Sequence, residues 1–308
     1  MKVNGYSFSS ATGVCTINGS VYTPDNGDVK AVMVIHHGMA EHRERYNAFI
    51  EFLTQNGIAV YMHDMANHGE SNQNFDESGY FGKKDGFKNL VKDLKTAFDM
   101  AKEAYPDKKI IVMGHSMGSF IVRCFTAWYA DAGFDAAIYM GTGGSNPIAG
   151  AGDMMSSCMA KLMGATHKSK MLDKITFGAY GDKFEKRTAF DWLTRDTEIV
   201  DKYIADKYCG FLFSVQGMND LVKLNIAANT DDWYAKVPKD IPLLVISGEM
   251  DPVGNYGAGL KEINEKLLAT GHDKAQLKLY PDCRHEILNE LNKEEVYADI
   301  LAFVESAL

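Results

Sequence analysis

Ile110-Ile111-Val112-Met113-Gly114-His115-Ser116-Met117-Gly118 is the stretch on which the reading of the fold turns. A β-branched run of buried-strand type breaks into a Gly-x-Ser-x-Gly turn. Behind it, residues 119–128 carry apolar side chains at helical spacing, ending near Gly133. Strand, sharp turn and helix in that order lift a serine hydroxyl off the end of a sheet. Glycines two residues to either side let strand and helix approach closely, while the serine takes a strained backbone conformation. Five-residue matches also arise by chance, so the rest of the chain has to supply the context.

Strand and helix signals alternate on both sides of this turn. Residues 14–23 predict an opening antiparallel hairpin strand, closed by the turn Pro24-Asp25-Asn26-Gly27. Strand patterns follow at Ala31–His36, Ile58–His63 and Ala136–Met140, separated by helical patterns at Tyr46–Gln55 and Phe87–Ala104. Alternation of this kind predicts an α/β fold, a mostly parallel central sheet with helices on both faces. It pauses at Gly141-Thr142-Gly143-Gly144 and resumes with a strand at Ile241–Ser247, a helix at Gly257–Ala269, a strand at Ala275–Tyr280 and a helix at Glu286–Ala307. A parallel crossover needs only a dozen or more residues. The excess predicts a helical cap over 145–240, inserted into a core made of 1–144 and 241–308. Ligands of open α/β sheets bind at the carboxyl ends of the strands, where such an insertion would cover them.

The 308 residues are 46% hydrophobic and 24% charged, the balance of an ordinary globular chain able to bury a large core. A formal charge of −9 without a basic stripe argues against nucleic-acid partners. No apolar run reaches transmembrane length, and the first eight residues lack the apolar core of a signal peptide. Cys15, Cys124, Cys158, Cys209 and Cys283 are scattered and form no C-x-x-C pair, which predicts reduced cysteines in a cytoplasmic protein.

A serine hydroxyl is a weak nucleophile at neutral pH and needs a base that is itself held by an acid. Reading forward from Ser116, the strand pattern at 243–247 delivers Glu249 and Asp251 in Gly248-Glu249-Met250-Asp251-Pro252, and the pattern at 275–280 delivers His285 in Asp282-Cys283-Arg284-His285-Glu286. Serine, acid and histidine thus follow successive strands, which assigns Ser116, Asp251 and His285 to catalysis. Glu249 is the competing acid, while Asp251 and Asp282 could be plain turn formers and His285 a helix cap. His272 lies in a separate turn. Backbone N–H groups of Met117 and of Met39, in His36-His37-Gly38-Met39, are the expected oxyanion donors. His36, His37, His42, His63 and His68 also cluster in sequence, but no pair has the helical spacing of a zinc site, so neither metal nor cofactor is expected.

These motifs resemble the lysophospholipase and monoacylglycerol lipase branch of the α/β-hydrolases (the serine aminopeptidase type). The likeness extends over nearly the whole chain. It runs through His36-His37-Gly38-Met39-Ala40-Glu41-His42-Arg43-Glu44-Arg45-Tyr46, Asp64-Met65-Ala66-Asn67-His68-Gly69-Glu70-Ser71, Gly114–Gly118, Phe190–Asp196, Asp206–Phe211, Gly248–Val253 and Arg284-His285-Glu286. It implies a serine carboxylester hydrolase with a helical cap and an acyl-enzyme intermediate, acting on a lysophospholipid, a monoacylglycerol or another ester with one acyl chain. It also implies transient contact between cap and lipid surface. Position by position, it implies Ser116 as nucleophile, Asp251 as acid, His285 as base and Met39 and Met117 as oxyanion donors. Glu41, His42 and Arg45 match an entrance segment that positions polar groups in monoacylglycerol lipases; a structural Glu–Arg pair is the alternative. Met39-Ala40 departs from a glycine-containing pair, and Asn67 from a frequent glycine, which bears on substrate rather than chemistry. In the cap, Met154, Met155, Met159, Leu162 and Met163 recur at helical spacing, with Met171 and Met218 elsewhere. Either they are core, or Met155 and Met159 line an acyl pocket. The rival functions are an esterase for small or aromatic esters, a peptidase, and a non-catalytic binder, against which the triad speaks. A dinucleotide-binding oxidoreductase lacks its Gly-x-Gly-x-x-Gly after the first strand.

Overall fold

Alternate residues of the central strands are apolar on both faces, so the sheet can be stable only with helices on each side. The computed structural model, which describes residues 1–308, shows that arrangement. The strands are β1 (Lys2–Ser9), β2 (Thr16–Thr23), β3 (Ala31–His36), β4 (Ile58–His63), β5 (Lys109–His115), β6 (Ala136–Met140), β7 (Leu243–Gly248) and β8 (Ala275–Tyr280). They form one sheet in the order β1-β2-β4-β3-β5-β6-β7-β8. The β1–β2 and β2–β4 pairs are antiparallel and all others parallel. This is the α/β-hydrolase fold.

One face packs Val32, Val34, Ile110, Val112, Tyr139 and Val245 under α2 (Gly86–Ala104), α3 (Met117–Trp128) and α9 (Ala258–Ala269). The other packs Met33, Ile35, Val60, Ile111, Ile138 and Ile246 under α1 (Asn47–Gln55) and α10 (Lys293–Ser306). Between β6 and β7 lie α4 (Ala149–Met163), α5 (Lys170–Phe177), α6 (Thr197–Ala205), α7 (Val215–Ala228) and α8 (Asp231–Lys236). Here α7 is shared. It packs on α4 outward and on α2 and α3 inward, while α8 sits on α3 with Trp233 against Tyr139. None of the helices is long and apolar enough to cross a membrane.

Two expected boundaries shift. The partner of β2 in the opening hairpin is β1, which precedes it, joined through residues 10–15; the 24–27 turn leads instead to β3. The helix expected over Glu286–Ala307 is broken into a short 3-10 turn, Ile287–Asn289, and α10. The break places the buried Glu290 carboxylate where it accepts the N–H groups of Arg284 and Leu291, at 2.8 and 3.2 Å, and pairs with Arg195 at 2.8 Å. Helical periodicity carries no record of such a return contact.

Candidate active site

Ser116 stands between β5 and α3 at φ 53° and ψ −122°, a conformation costing about 1–3 kcal/mol that only surrounding packing can hold. Its N–H donates to the Met140 carbonyl at 2.9 Å, and its own carbonyl accepts the N–H and hydroxyl of Ser119 at 2.9 and 2.5 Å. The flanking glycines have a steric cause. A Cβ on Gly114 would strike the Gly118 carbonyl, and one on Gly118 would strike the carbonyls of His36 and His37 at the end of β3.

Asp251 follows β7, and His285 lies on the loop after β8. The His285 Nδ1 lies 2.9 Å from Asp251 Oδ1, and both side chains are buried. Asp251 also accepts the Ser247 hydroxyl at 2.6 Å and the Val253 N–H at 2.9 Å. Burial alone would raise the Asp251 pKa, but the His285 ring and these donors hold it below the usual carboxylate range. An imidazole whose Nδ1–H donates a hydrogen bond to a buried carboxylate keeps Nε2 free as a base. His285 is further fixed between the rings of His115 and Trp192, at centroid distances of 4.6 and 5.1 Å. The competing groups lie elsewhere: Glu249 and Asp282 are exposed, and His272 spans Leu267 and Val237.

The loop after β3 is pinned residue by residue. Gly38 donates its N–H to Glu41 at 2.7 Å, and its carbonyl accepts from His37 Nδ1 at 2.8 Å. Ala40, at φ 51°, donates to His68 Nε2 at 3.3 Å, while its carbonyl accepts the Gly210 N–H at 2.9 Å and the Tyr203 hydroxyl at 3.0 Å. Between these anchors the Met39 N–H donates to no protein group. Met117 opens α3, so its N–H has no helical acceptor. Two of the clustered histidines, His37 and His68, serve this loop as pins. His37 Nε2 accepts the Met65 N–H at 2.9 Å, burial holds His37 well below the ordinary imidazole range, and burial pushes His68 down to about 4.

Beneath the loop lies a buried ionic group. Glu41 accepts the Tyr46 hydroxyl at 2.9 Å and lies 3.1 Å from His115 Nδ1; Arg45 joins Glu41 at 2.7 Å and grips Glu286 with two bonds of 2.7 and 2.6 Å. Burial opposes charge on each, yet the opposite charges prevail. Glu41 is held well below, and Arg45 well above, its ordinary range, and the Glu41 bond raises His115 despite desolvation. Of the three expected entrance residues, Glu41 touches the cavity from below, Arg45 is spent within this group, and His42 is bonded to Asp206 at 2.8 Å. The structural alternative for the Glu–Arg pair is thus the arrangement found. His115, Trp192 and Glu286 escaped the sequence reading as functional residues. Only the position of His115 inside the elbow and of Glu286 beside His285 hinted at them.

Ser116, Met39, Met117 and His285 open onto one cavity of about 1200 Å³ beneath α4, α5 and α7. Its walls include Met155, Leu172, Phe177, Phe211, Met218 and Leu221. The methionine pattern divides: Met155 lines the cavity, Met159 packs against the core below it, and Met154, Leu162 and Met163 face outward. Asn225, Ser145 and Glu262 supply a polar stretch of wall.

A family model described as serine aminopeptidase, S33, matches residues 27–292. The monoacylglycerol lipase of Mycolicibacterium smegmatis is 28% identical over 98% of this chain and 97% of its own length. The monoglyceride lipase of Mus musculus is 26% identical over 88% of this chain and 80% of its own. Among solved structures, a highly thermostable carboxyl esterase from Bacillus coagulans, in complex with glycerol, superposes with a TM-score of 0.93 at 28% identity, covering 100% of this chain and 99% of that one. Fold, family match and full-length relatives converge: the chain belongs to the serine aminopeptidase S33 family of α/β-hydrolases, in its monoacylglycerol-lipase-like branch, and is a lipase- or esterase-type hydrolase.

Proposed function

We propose that this chain hydrolyses monoacyl lipid esters, monoacylglycerol foremost, by a Ser116–His285–Asp251 triad and an acyl-enzyme intermediate. The observation that carries the reading is one cavity holding the strained Ser116, the Asp251-bound His285 and the unengaged Met39 N–H under apolar cap walls. Ser116 Oγ attacks the ester carbonyl while His285 Nε2 takes its proton. The N–H groups of Met39 and Met117 receive the oxyanion, each worth about 3–4 kcal/mol of barrier. His285 then protonates the departing alcohol, and water activated by the same ring releases the fatty acid. Asp251 holds the ring and stabilises its charged form.

A cavity of about 1200 Å³ exceeds the roughly 300–1,000 Å³ of ordinary small-molecule sites, which favours a long acyl chain over a small acid. The names of the relatives from Mycolicibacterium smegmatis and Mus musculus support the same substrate class. Ile148, Met154 and Leu162 are more than two-thirds exposed on the cap and offer an apolar contact for a lipid surface.

The test is glycerol release from monoacylglycerols of graded chain length by the native chain and by Ser116→Ala. Loss of turnover in the variant and preference for long chains are expected. Undiminished release by Ser116→Ala, or fastest turnover of acetyl esters, refutes the site or the substrate class respectively.

A further inference from the structure

We propose that His42, Asp206 and Cys209 form a zinc-type cation site joining the oxyanion loop to the cap. His42 lies three residues beyond Met39, Asp206 ends α6, and Cys209 follows a turn closed by its N–H to the Asp206 carbonyl at 3.0 Å. The imidazole nitrogen, carboxylate oxygen and thiol sulfur all lie within 4.8 Å of one another, with His42 Nε2 and Asp206 Oδ2 2.8 Å apart. Zinc bonds of about 2.0–2.3 Å in a tetrahedron space their ligand atoms roughly 3.3–3.8 Å apart, so movements of about an ångström close the set. Nitrogen, sulfur and one carboxylate suit a borderline-soft cation and not magnesium or calcium.

The surroundings fit a bound cation. Asp206 Oδ1 is oriented by the Tyr208 N–H at 2.8 Å, which leaves Oδ2 for a metal in place of the His42 proton. The Asp206 side chain is 31% exposed, a path for the ion and a place for a water as fourth ligand. Arg45, the buried cation nearby, is matched by Glu41 and Glu286, and Lys207 turns outward over Tyr208. The Cys209 proton leaves to solvent as the thiolate binds. Because Gly210 and Tyr203 already hold the Ala40 carbonyl, the ion adds a second tie between this loop and the cap.

The experiment titrates the full chain, carrying Cys158→Ser to remove the exposed thiol, with Co²⁺ alone and then with Zn²⁺ alone. Expected are one equivalent of bound Co²⁺ with a thiolate-to-cobalt charge-transfer band, its displacement by Zn²⁺, and a melting temperature that climbs with Zn²⁺ concentration. Cys209→Ser removes the band, and both it and Asp206→Asn weaken binding roughly ten- to hundredfold. Absence of the band in the parent, its survival in Cys209→Ser, or unchanged affinity in both variants overturns the site. Melting of the metal-free variants reports their folding; if Cys209→Ser does not fold, Asp206→Asn and His42→Gln make the same comparison of affinity.

Discussion

Glu41→Gln separates a residue that holds the oxyanion loop from one that touches substrate. The amide keeps an oxygen for the Gly38 N–H and Tyr46 hydroxyl, now 2.7 and 2.9 Å from Glu41 Oε1, but sets an NH₂ group against Arg45. Removing one partner of a buried ion pair costs about 3–5 kcal/mol. Arg45 retains both bonds to Glu286, so the lower end applies, about 3 kcal/mol. For a chain of this size that is a fall of about 6 °C in melting temperature, at about 2 °C per kcal/mol. A whole oxyanion donor is worth about 10²–10³ in kcat. The Met39 N–H is loosened and not deleted, so kcat should fall roughly ten- to a hundredfold with KM nearly unchanged.

The pH dependence has a sign. Glu41 is depressed in the fold, so its contribution exists above the ordinary carboxylate range and is lost as pH falls through the folded value. His115 is raised by Glu41, so its contribution is complete below about 6.5 and is lost as pH rises through its raised value. The stability gap between native chain and variant should therefore be widest between about pH 4.5 and 6.5. Urea unfolding across pH and steady-state kinetics on one monoacylglycerol measure both quantities. A gap under about 0.5 kcal/mol with unaltered kcat refutes the loop-holding role. A raised KM at constant kcat instead makes Glu41 a substrate contact.

Gly118→Ala should cost at least about 3 kcal/mol, because the new methyl meets two backbone carbonyls that cannot rotate aside; a melting curve within 2 °C of the parent refutes this steric account. Asp220, buried where α7 meets the start of α2 and accepting the Phe87 N–H at 3.0 Å, is raised to about 7 by burial. Its neutral form is favoured in the fold, so that contribution is lost as pH rises through 7, and the advantage of Asp220→Asn over the parent should grow by about 2–3 kcal/mol from pH 5 to pH 8 in urea titrations. Met155→Trp should shorten the cavity and lower the long-to-short chain ratio of kcat/KM on p-nitrophenyl esters at least about tenfold, whereas an unchanged ratio removes Met155 from the acyl path.

The core was legible because its rules are local. Ala31–His36, Ile58–His63 and Ala136–Met140 coincide with the observed strands to the residue, since a buried parallel strand must be a nearly unbroken apolar run bounded by turns, and the edge strand Ala275–Tyr280 coincides through its alternating pattern. The Gly-x-Ser-x-Gly spacing was equally readable, and its cause is two carbonyl contacts at the end of β3 that tolerate no Cβ. What failed was anything decided by return contacts. Strand β1 is mostly exposed and carries little apolar pattern, so only its pairing with β2 marks it as a strand. The helix after His285 breaks because Glu290 turns inward to Arg195 and Arg284.

The site shows the same division at finer scale. The placement of Ser116, Asp251 and His285 at one end of the sheet was legible from chain order, because each follows its own strand and the sheet aligns strand ends without further help. Arg45 could not be placed that way. Its spacing four residues after Glu41 fits a polar entrance as well as a buried pair, and the choice rests on Glu286, distant in sequence and silent in pattern. Trp192 is harder still, since its ring covers His285 from a cap segment whose position is set by Arg284 and Thr194 bonds to the opposite loop. Those bonds fasten residues 191–195 to the loop that carries the base. The helices α4 and α5, which line the same cavity, make no hydrogen bond to that loop, and their outer faces expose Met154, Leu162 and Ile175.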